Sequence, residues 1–359
     1  MWHLEPPLTN KLDEYVTWLI SLIKKRINTH RTNPNETAWC DYLLPQRGVG
    51  LYDESIIAEI LIAKPARLFK LNNRHLNQLL RLRQATNHPG GFRYTYSEHQ
   101  LRHYIKAKSK RNRSPRERSL VERYERLFEF LLAIFDYDII KGEIAYDISM
   151  MNSRNTCTYC NRQYTFTIGR KHTNEKTVSK IKPQFDHWFA HKQYPLLSLS
   201  FYNLIPSCSV CNSSVKGGAH YSLKTHIHPY MTNTSDPAFQ FRPILINDPK
   251  TNKIRWSVLL QRRKLSKEDN TINALSLDQV YDQHGSLEVK DIMDFALKNN
   301  TTYLKTLFVE VCADLHADYS QAEVYRMLFG IEFDIDKTLN RPLSKLKRDI
   351  LEGEEIKVS

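Results

Sequence analysis

The sequence predicts an α+β protein in which a central segment of short strands and turns lies between two mainly helical regions. In the first 150 residues, and again in the last hundred, apolar residues recur at spacings of three and four, which is typical of amphipathic helices. Between about residues 150 and 230, short apolar alternations, turn residues and cysteines replace that pattern. We therefore divide the chain into a helical, basic region 1–150, a central region 151–232 and a C-terminal region 233–359.

The N-terminal region is predicted to contain four helices. Apolar side chains share one face over residues 12–27, and similar stripes predict helices over residues 54–64, 74–84 and 119–135. The helix over residues 54–64 is expected to stop before Pro65, because a proline disfavours helical backbone in the residue that precedes it.

Positive charge distinguishes the composition of this chain. The formal net charge is +13, and eight of the seventeen residues 102–118 are Lys or Arg. This surplus indicates a polyanionic partner, either nucleic acid or an anionic membrane surface, although a solvated connector and general solubility give the same composition. The N-terminus lacks the pattern of a secretory signal, and the apolar residues 15–23 are too few to cross a bilayer. We therefore expect a cytoplasmic protein without a membrane anchor.

Strand patterns appear in the central and C-terminal regions. In the stretch QYTFTIG, Tyr164, Phe166 and Ile168 alternate with small or polar residues, which predicts a half-buried strand. Residues 239–262 predict a β-hairpin that turns around the polar stretch NDPKTNK. Helical patterns return over residues 289–315 and 322–330.

Four of the six cysteines form two CxxC pairs separated by 47 residues, which are Cys157, Cys160, Cys208 and Cys211. One pair alone would also fit a redox motif, but two pairs in a reducing compartment favour a single tetrahedral site with four thiolate ligands. We expect one Zn²⁺ per chain at this site, and its closed ligand set predicts a structural role. Cys40 and Cys312 stand alone and are expected to be small buried hydrophobes.

A zinc deaminase would also carry a CxxC motif. Such an enzyme needs an H-x-E motif and a proline directly before the first cysteine of the pair. Here Ser207 separates Pro206 from Cys208, and the H-x-E motif lies at residues 3–5, at the N-terminus. We therefore exclude this class.

Four further polar residues lie between or directly after the CxxC pairs. Asp186 and His187 follow Phe185 at the end of a predicted strand, where they are expected to face outward. Asn203 precedes the second pair, and Asn212 follows its last cysteine. Singly, these residues fit a turn, a packed histidine and two caps. Together, inside a four-cysteine frame on a basic chain, they favour a catalytic site.

The order DH…N…CxxCN between two CxxC pairs resembles the HNH nucleases, also called ββα-metal or His-Me finger nucleases, over roughly residues 155–230. The longer stretches CTYCNRQYTF and PQFDHWFAHKQYPLLSLSFYNLIPSCSVCNSSVKG resemble the HNH effectors of Septu-type antiphage defence systems in bacteria. The resemblance implies a zinc-stapled ββα-metal (HNH) nuclease core, a DNA endonuclease activity that depends on Mg²⁺ or Mn²⁺, and an ATPase as partner protein.

The resemblance also implies roles for individual residues. Asp186 and Asn212 would bind the catalytic Mg²⁺ through oxygen atoms. His187 would be the general base that takes a proton from the attacking water. Asn203 would brace the loop and orient His187 by hydrogen bonding. The last motif position is Asn212 where the family name has a histidine, which leaves the choice between Mg²⁺ and Mn²⁺ open. The expected products carry 5′-phosphate and 3′-hydroxyl ends.

The remaining candidates and alternatives are less specific. Lys216 is expected either to contact phosphate or to be a plain surface lysine, and His191, His226 and His228 are expected to be structural or solvent-exposed. The sequence contains no G-x-x-x-x-G-K-[ST] motif, so any ATP hydrolysis must come from another chain. Two other functions fit the same pattern: a non-catalytic zinc module that binds nucleic acid, and an RNA or tRNA nuclease.

Overall fold

The computed structural model describes residues 2–82, 114–140, 143–151, 154–168, 171–173, 176–178, 181–217, 219–232, 237–248, 251–298 and 320–353. Cys312, most of the basic segment 102–118 and the predicted helix beyond residue 298 lie outside these residues. Among the described helices, none has both the length and the hydropathy that crossing a bilayer requires.

The chain divides into two compact units. We call Met1–Pro6, Asn152–Asp186 and Ile205–Ser359 the cysteine unit, and Pro7–Met151 with His187–Leu204 the helical unit. The two units therefore separate Asp186 from His187 although these residues are consecutive. The three-part division expected from the sequence stays a prediction.

The helical unit contains six described helices: α1 (Thr9–His30), α2 (Thr37–Leu43), α3 (Ser55–Ile62), α4 (Pro65–Arg81), α5 (Pro115–Ile134) and α6 (Glu143–Met151). Two short antiparallel strands, β1 (Gln46–Gly48) and β2 (Leu51–Tyr52), connect α2 to α3. The helices predicted over residues 12–27, 54–64 and 119–135 are confirmed. In α1 the predicted apolar face is the buried one, since Tyr15, Leu19 and Ile23 point into the core.

Two helix starts follow from local chemistry. At α5, Ser114 and Glu117 form a reciprocal capping box, and Pro115 occupies the first helical position. The helix predicted over residues 74–84 is the second half of α4, which begins earlier, at Pro65. A proline is tolerated in the first helical turn because its missing N–H would have no helical partner there.

Residues 187–204 belong to the core of the helical unit. Tyr15 in α1 donates its hydroxyl proton to the Leu199 carbonyl over 2.7 Å, and its ring packs edge-on against Phe201 with centroids 5.6 Å apart. Ser200 donates to the carbonyl of Ile60 in α3, also over 2.7 Å. The loop that follows Asp186 in sequence is therefore held by the N-terminal helices.

The cysteine unit contains the remaining elements. Its strands are β3 (Lys171–Thr173), β4 (Lys176–Val178), β7 (Gln240–Asn247) and β8 (Ile254–Gln261), and its helices are α7 (Lys267–Ala274), α8 (Leu277–Asp282), α9 (Lys290–Lys298), α10 (Gln321–Phe329) and α11 (Ser344–Gly353). Strands β5 (Gln184–His187) and β6 (Leu204–Ser207) form a two-stranded sheet, and the division between the units falls within both strands.

The hairpin predicted over residues 239–262 is confirmed as β7 and β8. The antiparallel register runs from Gln240 opposite Gln261 to Asn247 opposite Ile254. Gly285 lies against β8 so closely that a Cβ atom there would overlap the Trp256 carbonyl. Only glycine allows this approach.

The strand predicted for QYTFTIG is wrong. Residues 164–168 form no strand and make isolated bridges, between Thr156 and Tyr164 and between Ile168 and Ile181. Thr165 is buried, with its N–H donating to the Asn155 carbonyl, whereas Tyr164 and Phe166 are exposed.

Candidate functional site

The four cysteines of the CxxC pairs come together as the sequence predicts. All four are buried, and their Sγ atoms lie within 4.8 Å of one another. The Sγ atoms of Cys160 and Cys208, one from each pair, are 4.0 Å apart. A tetrahedral zinc site with Zn–S bonds of about 2.3 Å places its sulfurs about 3.8 Å apart. The cluster therefore has the chemistry and the spacing to hold a metal such as zinc.

The two CxxC turns have the same backbone closure. The N–H of Asn161 donates to the Cys157 carbonyl over 2.8 Å, and the N–H of Asn212 donates to the Cys208 carbonyl over 3.0 Å. Backbone N–H groups also donate to sulfur, from Arg162 to the Cys160 Sγ over 3.4 Å. Such donors favour thiolate over thiol, which is the form that binds zinc.

The cysteines also influence one another's ionisation. Burial raises the pKa of the Cys157 thiol well above its ordinary value, whereas a hydrogen bond from Cys157 lowers the pKa of Cys208. Four thiolates so close together repel one another, and a central cation removes that repulsion. The cluster is therefore suited to a divalent metal that binds thiolates.

Asp186 is a buried carboxylate that is already paired. Its Oδ2 accepts a hydrogen bond from the Tyr159 hydroxyl and forms an ion pair with the Lys216 Nζ at 2.5 Å. Asp186 and Lys216 are only 4% and 3% exposed. Tyr159 lies inside the first CxxC turn, and Lys216 ends the π-helical turn Val210–Lys216 that begins in the second. Both CxxC turns therefore supply a partner to the acid.

Burial also sets the protonation of these partners. It raises the pKa of Tyr159 well above its ordinary value, so the hydroxyl keeps its proton and donates to Asp186. Burial lowers the pKa of Lys216, and the charge of Asp186 opposes that change. The Lys216 Nζ lies 4.8 Å from the Tyr221 ring centroid, and Tyr221 stacks on His226.

Asn212 lies beside the strand face that carries Asp186. Its Nδ2 donates to Oε1 of Gln184 over 3.1 Å. Gln184 precedes Asp186 by two residues in β5, and residues two apart in a strand point to the same face. Asp186 and Asn212 therefore share one neighbourhood within the cysteine unit.

His187 lies in the helical unit with a defined tautomer. Its Nε2 is 2.9 Å from the Ser198 carbonyl oxygen. A carbonyl only accepts, so in the neutral ring Nε2 carries the proton and the basic lone pair is on Nδ1. The ring packs against Tyr137 and His191, with centroid distances of 4.7 and 4.8 Å.

Asn203 is fully buried and binds the loop backbone. Its Oδ1 accepts from the Phe189 N–H over 2.7 Å, and its Nδ2 donates to the carbonyls of Phe189 and Leu197 over 3.1 and 2.9 Å. Leu197 adjoins Ser198, the residue that accepts from His187. These bonds brace the loop, and they act on His187 through the backbone.

No family model, curated protein or solved structure matches the chain. What the site does must therefore be argued from its own residues and from the sequence pattern.

Asp186 and Asn212 have side chains whose oxygen atoms can bind a hard divalent cation. The hydrogen bonds to Asp186 from the described residues both fall on Oδ2. The Asn212 carboxamide offers a second oxygen. Mg²⁺ and Mn²⁺ accept such a set and complete it with water and phosphate oxygens. The ammonium of Lys216 competes with such a cation for the same carboxylate charge.

The structure gives the exposure of four predicted candidates, Asp186, His187, Lys216 and His228. Asp186 and His187 were expected to face outward, but both are buried. Lys216 is not a surface lysine, because its ion pair with Asp186 draws it into the interior. His228, expected to be structural or solvent-exposed, is buried, and its Nδ1 accepts from the Tyr230 N–H over 3.3 Å.

Sequence reasoning missed two contributors. Tyr159 is absent from the predicted site residues, yet its hydroxyl donates to Asp186, 27 residues away. Lys216 was considered for phosphate and for the surface, but not as the partner of Asp186. The available signal was position, because Tyr159 lies inside the first CxxC turn and Lys216 ends the helical turn that begins in the second.

Proposed function

We propose that the chain is a metal-dependent HNH endonuclease that hydrolyses phosphodiester bonds in DNA. The observation that carries this proposal is a carboxylate and a histidine of defined tautomer, Asp186 and His187, that are consecutive in β5. The buried four-cysteine cluster supports it, because the sequence resemblance requires a frame of this kind. The net charge of +13 supports a nucleic acid as substrate.

His187 acts as general base in this proposal. The lone pair on Nδ1 takes the proton of the attacking water, while Nε2 keeps its proton and its bond to the Ser198 carbonyl. That bond strengthens when the ring becomes positively charged, because hydrogen bonds from charged donors are stronger. Asn203 supports the ring's position by holding the neighbouring loop carbonyls.

Asp186 and Asn212 would hold Mg²⁺ or Mn²⁺ in this proposal. The bound cation supplies charge stabilisation at the scissile phosphate and the leaving 3′ oxygen. Tyr159 and Lys216 fix the carboxylate by binding Oδ2, so that Oδ1 keeps one direction. Fixing a ligand in advance reduces the reorganisation that the reaction needs.

The biological setting rests on the resemblance to Septu-type effectors. We propose a role in bacterial antiphage defence, together with an ATPase that senses infection and restrains the nuclease. The sequence lacks a G-x-x-x-x-G-K-[ST] motif, which is consistent with ATP hydrolysis by a separate chain.

Nicking of supercoiled plasmid by purified, zinc-replete protein tests the proposal. We expect nicking with Mg²⁺ or Mn²⁺, products with 5′-phosphate ends, and no nicking with excess EDTA. The assay includes a preparation with the genomic neighbour, because defence effectors work with partners. Absence of cutting in every condition would contradict the proposal.

A non-catalytic zinc module is the second candidate, because the cysteine cluster and the charge do not require Asp186 or His187. It predicts DNA binding without metal-dependent cutting. An RNA or tRNA nuclease is distinguished by replacing the plasmid with labelled RNA in the same assay.

A further inference from the structure

An exposed aromatic pair lies next to the first CxxC turn. Tyr164 and Phe166 are 48% and 42% exposed, and their rings stack with centroids 4.4 Å apart and planes within 17°. Ile168 and Ile181, which form a bridge with each other, are 43% and 51% exposed. We call these four residues the aromatic strip. Neighbouring exposed apolar residues indicate a binding surface more strongly than single exposed apolar residues do.

The aromatic strip is held by backbone bonds on its inner side. The N–H of Thr165 donates to the Asn155 carbonyl over 2.7 Å, and that of Ile168 donates to the Ile181 carbonyl over 3.0 Å. The N–H of Cys157 donates to the Gln163 carbonyl, also over 3.0 Å, which ties the strip to the first CxxC turn. The rings are therefore presented by a fixed backbone rather than by a loose loop.

The sequence around the strip is strongly basic. Residues 162–182 contain six Lys or Arg, which are Arg162, Arg170, Lys171, Lys176, Lys180 and Lys182, and one acidic residue, Glu175. Exposed aromatic rings within a basic stretch of sequence are the combination that binds nucleic acid strands with unpaired bases. In a duplex the base faces are covered by stacking, and they become available to side chains only in single strands, loops or junctions.

We propose that the aromatic strip binds single-stranded nucleic acid, with unpaired bases stacking on Tyr164 and Phe166. This inference rests on the proposed nuclease function and narrows its substrate to DNA with an unpaired segment. Ile181, at one end of the strip, precedes Asp186 by five residues, so the Cα atoms of these two residues are at most about 18 Å apart. A short segment of chain therefore joins the strip to the acid.

Fluorescence anisotropy with a labelled oligothymidylate in EDTA tests this inference without cleavage. We expect Tyr164→Ala/Phe166→Ala to weaken oligonucleotide binding by roughly thirtyfold or more, because two base stacks are lost and each contributes about 1–3 kcal/mol. Binding of a duplex of equal length should change by less than about twofold, because its bases do not reach the rings.

Two further variants separate stacking from other causes. Tyr164→Leu/Phe166→Leu keeps apolar surface without π-faces, and we expect it to bind the oligonucleotide as weakly as the alanine variant. Leu245→Ala/Ile254→Ala removes an exposed apolar pair on β7 and β8 of the same unit, and its binding should equal that of the wild type. Zinc content and circular dichroism confirm that each variant is folded.

The inference is overturned if the alanine variant binds the oligonucleotide as well as wild type does. Full binding by the leucine variant, or no binding by the wild type, also overturns it and favours a protein partner on the strip. Failure of the nuclease proposal gives a different result: wild type binds the oligonucleotide, the alanine variant does not, and neither protein cuts DNA with Mg²⁺.

Discussion

The two CxxC turns have the same pattern and different surroundings. CTYCN and CSVCN close with the same backbone bond, from the asparagine N–H to the first cysteine carbonyl. Asn161 is 1% exposed with a left-handed φ of 49°, and its Nδ2 donates to Thr156, Thr338 and Arg341. Asn212 is only partly buried, and its Nδ2 donates to Gln184 beside Asp186.

This difference shows which information each part of the motif carries. The cysteine spacing determines the turn and the metal ligands. The segment that packs against the turn determines what the following asparagine does. Asn161 binds C-terminal backbone, whereas Asn212 binds Gln184, two residues before Asp186.

The largest expected effect comes from removing one of the four cysteines that the two CxxC pairs contribute to the zinc site. Cys208→Ser leaves three thiolates, and because zinc binding is coupled to folding we expect loss of zinc and unfolding of the cysteine unit. Zinc stoichiometry and thermal unfolding measure both effects. Cys40→Ser is the matched control, because burial raises the pKa of that thiol to about 12 and keeps it protonated. Full zinc content in Cys208→Ser would refute the shared site.

The next largest effect is expected from breaking the ion pair between Lys216, which follows the second CxxC turn, and Asp186. Lys216→Met leaves Asp186 buried without its cation, and we expect a loss of about 3–5 kcal/mol of stability. Mn²⁺ should then raise the melting temperature more in this variant than in the wild type, because it no longer competes with the ammonium. Asp186→Asn/Lys216→Met is the control and should not respond to Mn²⁺. An equal response in all three proteins would contradict Asp186 as a ligand.

Substitution of Asn161 and Asn212 tests the difference between the two CxxC turns directly. Asn161→Ala removes three hydrogen bonds, two of them buried, that share the two N–H donors of one amide, and we expect a loss of about 2–3 kcal/mol. Asn212→Ala should cost less than about 0.5 kcal/mol, as is usual away from the core, but lower Mg²⁺-dependent cutting. Denaturant unfolding and nicking measure the two effects. The comparison fails if the two variants lose similar stability.

The smallest expected effect compares the stability contributed by a hydrogen bond to a charged acceptor with that contributed by a hydrogen bond to a neutral acceptor. Tyr159→Phe removes a hydrogen bond to the Asp186 carboxylate, and Tyr281→Phe removes one to the Cys160 carbonyl. We expect losses of about 1.5–3 kcal/mol and about 1 kcal/mol, because bonds to charged groups are stronger. Both tyrosines are buried next to the first CxxC turn, so denaturant unfolding compares them directly. A larger loss in Tyr281→Phe would argue that Asp186 is not charged.

Sequence reasoning succeeded where a local rule determines the structure. Periodicity predicted α1 and α5, the turn signals predicted the β7–β8 hairpin, and the cysteine spacing predicted the cluster. It failed where a distant partner decides, because alternation cannot say whether a second strand pairs with the stretch. The strand predicted for QYTFTIG makes only isolated bridges, and the pairing of Lys216 with Asp186 joins residues 30 positions apart.

The sequence also did not predict that Asp186 and His187 belong to different compact units. The pattern presents them as one dipeptide, yet their surroundings come from different units. Asp186 contacts the CxxC turns, and His187 contacts a loop packed on N-terminal helices. The partners of each residue are set by tertiary packing, which no local spacing encodes.

The rate of plasmid nicking by zinc-replete His187→Ala, beside wild type and His191→Ala, tests the central claim most directly. His191 is the matched control, because its ring packs against that of His187. We predict that His187→Ala cuts roughly a hundredfold to ten-thousandfold more slowly with Mg²⁺, as expected for loss of a general base, while His191→Ala stays close to wild type. Wild-type nicking by a folded His187→Ala protein would contradict the account.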